Sequence, residues 1–245
     1  MRAWKCDTGL LATFCLIHGN WHDGWCWRPL VERLRDRGHQ ALTPDLPFDD
    51  PDADYADRAR PALSSLVGVV DPVIVVGHSV GSAEATMVAE QRRPILLVYL
   101  CPRFGSFSAP ADAPDVFRQG FPFPSKDAEG RMVWQREDAI AAMYPRLGAG
   151  TASELAQRLR PGASPRGSYP LSSHPDVPTA LIYAKYDEFF TPEWERFVAK
   201  EMLGVEPIEL LSGHFPMVEA PDVLADVLDR LAAEAVASRF DEVAS

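Results

Sequence analysis

Short, almost wholly apolar runs recur along the chain, separated by longer segments in which polar and apolar positions mix. Leu11 to Ile17, Val73 to Val76, Ile95 to Leu100 and Thr179 to Tyr183 are too short for buried helices and too continuous for half-exposed strands, so they read as strands covered on both faces. Shorter strands are predicted at Gln40 to Leu42 and Ile208 to Leu211. Between them, Trp27 to Arg37 reads as a helix ended by Gly38, Tyr55 to Val70 as a helix interrupted at Pro61, Pro192 to Met202 as a helix, and Asp222 to about Ala237 as a final one. This alternation predicts an α/β fold, a doubly wound and mainly parallel sheet.

The stretch between the strand ending at Leu100 and the one starting at Thr179 has a different texture, because prolines, glycines and aromatics crowd it without a long strand-like run. We expect a core of residues 1–102 and 179–245, with 103–178 inserted as a small cap. Phe104, Phe107, Phe117, Phe121, Phe123, Trp134 and Tyr144 could line an apolar pocket there or form the cap's own small core. The acid-rich run Phe48 to Asp54 is expected to solvate a loop and cap the next helix rather than bind a metal.

A chain of 245 residues, 47% hydrophobic and 24% charged, suits one soluble domain. The formal net charge of -11 argues against nucleic acid or an anionic membrane as partner. A small-molecule substrate is expected instead, and a homodimer stays open. Cys6, Cys15, Cys26 and Cys101 include no close pair and read as small apolar residues. The charged segment Met1 to Asp7 lacks the apolar stretch of a secretion signal, and no run reaches a membrane span, so a cytoplasmic location is expected.

Candidate chemistry centres on Gly77-His78-Ser79-Val80-Gly81, a G-x-S-x-G motif placed between a predicted strand and a helix-forming segment. A sharp strand-to-helix turn exposes the serine hydroxyl as a nucleophile, which needs a base and a third group to orient that base. Asp187 and His214 each follow a predicted strand, and the order Ser79, Asp187, His214 puts all three at strand ends that share one sheet edge. The N–H groups of Asn20, on the loop after the first strand, and Val80 could form an oxyanion hole. His18 and His22 have a helical metal spacing but sit beside Gly19 in a loop, so no metal is expected. His78 is expected to pack beside the turn, Glu188 competes with Asp187 as the acid, and Asp176 precedes its strand. Trp25 and Trp27 read as packing residues, whereas Trp21 could face the pocket.

The segments His18 to Trp27, Asp45-Leu46-Pro47, Gly77 to Gly81, the Asp187 loop and Ser212 to Pro216 together resemble the α/β-hydrolase superfamily over nearly the whole chain, most weakly between about Arg103 and Val177. The tryptophan-rich early loop is most similar to the branch of plant methylesterases, hydroxynitrile lyases and many bacterial hydrolases. The resemblance implies Ser79 as nucleophile, Asp187 as acid, His214 as base and no cofactor. It also implies a sheet starting near the third strand of the usual family, since only about ten residues precede Leu11. Lyases of that branch carry threonine and lysine where this chain has Gly19 and Phe215, which favours an esterase. The expected activity is hydrolysis of a small, largely apolar carboxylic ester through an acyl-enzyme. Trp21, Phe104, Phe121, Phe123, Trp134 and Phe215 are the substrate-binding candidates. A ligand-sensing protein with a slow site, or lyase or carbon-carbon bond hydrolase chemistry on the same scaffold, remain alternatives.

Overall fold

The computed structural model describes residues 11–104 and 113–244, with side chains to residue 239; Cys6 and Phe107 lie outside the described residues. Six strands form one all-parallel sheet: β1 (Thr13–Ile17), β2 (Gln40–Leu42), β3 (Val73–His78), β4 (Leu96–Leu100), β7 (Thr179–Ala184) and β8 (Ile208–Leu210), in the order β2-β1-β3-β4-β7-β8. Every residue of β1, β3 and β4 is buried, as their continuous apolar runs require. The register pairs Ile17 with Gly77, His78 with Leu100, and Ala184 with Leu210. The loops that begin at His18, Ser79, Cys101 and Lys185 therefore leave the sheet at one edge.

Helix α1 (Arg28–Asp36) buries Leu30, Val31 and Leu34, and Gly38 closes its end at φ +90°, a value unstrained for glycine. Helix α2 (Tyr55–Ser65) starts at a capping box: Asp54 accepts from the Asp57 N–H at 2.8 Å, and Asp57 accepts from the Asp54 N–H at 3.2 Å. The acid-rich run thus caps the helix, but Pro61 does not interrupt it. Proline removes one N–H from the helix interior while the flanking turns continue, and α2 ends at Ser65, before the expected Val70.

Helix α3 (Ser82–Arg92) follows the serine turn and is buried from Ser82 to Ala89. Helix α6 (Pro192–Phe197) runs into a π-helical turn at Val198–Met202, and α7 (Pro216–Glu219) precedes the long α8 (Pro221–Ala244). The last helix packs on α1, with Asp222 accepting from Arg33 Nε and Asp229 bonded to His39 Nε2 at 2.8 Å. Between β4 and β7 lie a hairpin of β5 (Ser125–Lys126) and β6 (Met132–Val133) and two short helices, α4 (Arg136–Met143) and α5 (Ala149–Ala156). No helix among the described residues is long and apolar enough to cross a membrane.

Candidate active site

Ser79 sits where β3 turns into α3, at φ +53° and almost fully buried. A non-glycine residue there is strained, and the surroundings hold it in place. A Cβ on Gly77 would lie 2.5 Å from that of Ala85, and one on Gly81 only 2.2 Å from the His18 carbonyl oxygen, so helix and early loop both close on the turn through missing side chains. A Cβ on Gly19 would fall 3.0 Å from the Ser79 Cβ, which brings the loop after β1 against Ser79.

That early loop is pinned by two neutral histidines. The Nδ1–H of His18 donates to the Gly19 carbonyl at 2.9 Å, and its Nε2 accepts from the Leu46 N–H at 2.9 Å. Fixing the Gly19 carbonyl fixes the plane of the next peptide, and the Asn20 N–H points to the opposite side. His22 Nδ1–H donates to the Asn20 carbonyl at 3.0 Å, while its Nε2 accepts from the Tyr144 hydroxyl at 2.6 Å. Burial drives both pKa values down, to about 4 for His18 and about 3 for His22. All four ring nitrogens are occupied, which leaves none to ligate a metal. The Val80 N–H opens the turn into α3, where helix N–H groups have no intrahelical partner.

Asp187 is fully buried, and its Oδ1 accepts from the N–H groups of Phe189 at 2.7 Å and Phe190 at 2.9 Å. Its Oδ2 accepts from His214 Nδ1 at 2.6 Å, leaving Nε2 as the basic nitrogen. Phe189 stacks on the His214 ring at 4.3 Å, and Phe190 and Phe215 stand edge-on at 4.9 Å. The Nε2–H of His78 donates to the His214 carbonyl at 2.9 Å, which ties the histidine loop to the residue beside Ser79. Glu188 instead pairs with Arg146 at 2.8 Å and faces the His214 N–H, so it supports the loop and leaves the ring to Asp187. Cys101 Sγ lies within 4.8 Å of the Asp187 and His214 ligand atoms, yet burial pushes its thiol well up and Asp187 already accepts three hydrogen bonds. A triad acid suits those donors better than a metal ligand.

A cavity of about 380 Å³ opens at this edge, lined by Ser79, Asn20 and Val80 together with Trp21, Phe117, Phe121 and Phe123 from the expected pocket residues. Three of the expected binding residues are absent from its wall. Phe104 packs against Tyr99 at 4.7 Å, Trp134 stands behind Trp21 at 5.6 Å, and Phe215 is buried among His22, His78 and Tyr144. Each presents its ring to other rings rather than to the cavity. Sequence reading missed Tyr55, Arg58, Glu84, Arg103, Phe189 and Phe190, which do line it. For the last pair a signal existed, since both follow the acid directly; the charged residues of α2 and α3 gave none.

A model described as the alpha/beta hydrolase family matches residues 16–227. The "Carbendazim hydrolyzing esterase" of a Nocardioides species is 36% identical over 100 residues, 37% of this chain and 41% of that protein. "Methylesterase 18" of Arabidopsis thaliana is 39% identical over 83 residues, 30% of this chain and 31% of that one. The chain thus spans about a third to two fifths of the length of these relatives. Among solved structures, an Arabidopsis methylesterase shares a TM-score of 0.71 at 19% identity, covering 91% of this chain and 99% of its own. A pyrethroid hydrolase from Sphingobium faniae has the same TM-score at 23% identity, covering 91% and 97%. At those identities the structures speak for the fold.

Proposed function

The chain belongs to the alpha/beta hydrolase family, and from that premise we propose that it is a serine hydrolase of small, largely apolar carboxylic esters. The observation that carries this reading is the 2.6 Å hydrogen bond from His214 to a buried, fully bonded Asp187, on the same sheet edge as the strained Ser79. Esterase names among the relatives support the same bond type.

In the reaction, His214 Nε2 takes the hydroxyl proton as Ser79 Oγ attacks the ester carbonyl. Asp187 stabilises the resulting imidazolium and keeps Nδ1 protonated. The N–H groups of Asn20 and Val80 hold the tetrahedral oxyanion, the first aimed by the His18 bond to Gly19. The leaving alkoxide takes its proton from His214, the acyl group stays on Ser79, and water activated by His214 releases the acid. Residues 103–178 act as the cap over this chemistry, supplying Phe117, Phe121, Phe123 and Met132 to the cavity wall. Phe215 offers no cation to a departing cyanide, which favours hydrolysis over cyanohydrin cleavage.

The test is turnover of short-chain aryl esters by the wild type and Ser79→Ala. Loss of several powers of ten with an unchanged melting temperature supports the reading; near-normal turnover in the variant overturns it.

A further inference from the structure

Besides its aromatic lining, the cavity has a charged wall that the ester reaction as described does not use. Arg58 on α2, Glu84 on α3, and Arg103 just beyond β4 all line it. Arg58 is nearly fully buried; its Nη2 donates to the Ala163 carbonyl at 3.0 Å, and its Nε is buried with no partner. The Arg103 N–H donates to the Ser79 carbonyl at 3.0 Å, which anchors its backbone beside the nucleophile, while its guanidinium lies over the Phe117 ring at 5.0 Å. Neither arginine has an ion-pair partner within 4.0 Å among the described residues, although fourteen arginine or lysine pairs elsewhere show how readily this acidic chain supplies carboxylates.

We propose that Arg58 and Arg103 form a binding site for a carboxylate carried by the substrate, so that the ester cleaved at Ser79 is one bearing a free acid group on its acyl or its alcohol arm. This deepens the ester-hydrolase reading and rests on it. Arginine stays cationic at any working pH, and a buried guanidinium without a counter-charge is costly, so the wall is set up to gain when an anion enters. A planar carboxylate matches the donor fork of a guanidinium. Burial pushes the Glu84 carboxyl up to about 7, and its Oε2 has no hydrogen-bond partner, so below that pH the nearby acid is mostly neutral and leaves the guanidinium charge uncancelled. The apolar remainder of such a substrate fits the rings of Trp21, Phe117 and Phe121 that line the same cavity.

Two matched pairs of esters test the site. The 4-nitrophenyl monoester of adipic acid is compared with 4-nitrophenyl hexanoate for the acyl arm, and 3-carboxyphenyl butyrate with 3-carbamoylphenyl butyrate for the alcohol arm. A charge-assisted hydrogen bond implies a preference in kcat/KM of roughly tenfold or more for the charged member of at least one pair. That ratio should fall toward one in Arg103→Gln and in Arg58→Gln. Because both esters see the same protein, the ratio is insensitive to any fraction that fails to fold. Ratios of one or less in both pairs with the wild type, or a preference that survives both substitutions, overturn the proposal. Calorimetric binding of the same pairs to Ser79→Ala reads the site without turnover. If no ester is cleaved, the hydrolase reading fails and this binding order still decides the carboxylate site; if neutral esters are cleaved through Ser79 without a charge preference, only the carboxylate site fails.

Discussion

Replacing Glu84 by Gln should stabilise the protein in mildly alkaline solution and leave it nearly unchanged in acid. Glu84 is only 1% exposed on α3, and burial raises its pKa from 4.5 to about 7. In the unfolded chain the carboxyl ionises near 4.5, whereas in the folded protein it keeps its proton until about 7. Over that window the unfolded state binds fewer protons, so stability falls as pH rises, and the loss is complete above the folded pKa. With each pKa unit worth about 1.4 kcal/mol, wild type should lose about 2–3 kcal/mol relative to Glu84→Gln between pH 5 and pH 8.5. Glutamine has nearly the same volume and no charge to bury. Glu219, whose pKa is also pushed up to about 7, contributes equally to both proteins and cancels in the difference. Urea unfolding followed by tryptophan fluorescence at several pH values measures the gap. Parallel stability curves for the two proteins would show that the carboxyl is not held neutral by burial.

Two further perturbations probe the residues around the site. Asp187→Asn keeps an oxygen for the Phe189 and Phe190 N–H groups but loses the tautomer control of His214, so kcat should drop by about 10⁴ with little change in melting temperature; turnover within tenfold of wild type would assign the acid elsewhere, Glu188 first. Tyr144→Phe strips the donor from buried His22 Nε2 and should cost about 1–3 kcal/mol in urea unfolding, whereas an unchanged midpoint would mean that the 2.6 Å contact holds nothing.

The sheet was legible because β1, β3, β4 and β7 are apolar without interruption, and a parallel sheet covered on both faces needs that pattern. Once the strands are parallel, residues that follow their carboxyl ends share an edge whatever their separation in sequence, which is why Ser79, Asp187 and His214 could be grouped from the chain alone. The cavity wall was less legible. Between β4 and β7 the backbone is mostly irregular, so no periodicity tells which side of it Phe104, Phe121 or Trp134 faces, and two of these three turn to other rings. Arg58 and Glu84 were hidden for another reason. A charged residue on a helix ordinarily marks its solvent face, but here α2 and α3 pack against each other and against the loop around Ala163, and the charges are enclosed. Pro61 misled in the same way, since a proline that usually ends a helix is carried inside α2 by packing on both sides of it.

The most direct test of the central claim is to treat the protein with a fluorophosphonate probe and locate the adduct by peptide mass mapping, with ester turnover followed in the same samples. The account predicts one adduct, on Ser79, formed in step with the loss of turnover, and neither adduct nor turnover in Ser79→Ala. An adduct on another residue, or complete modification of Ser79 with turnover intact, would contradict it.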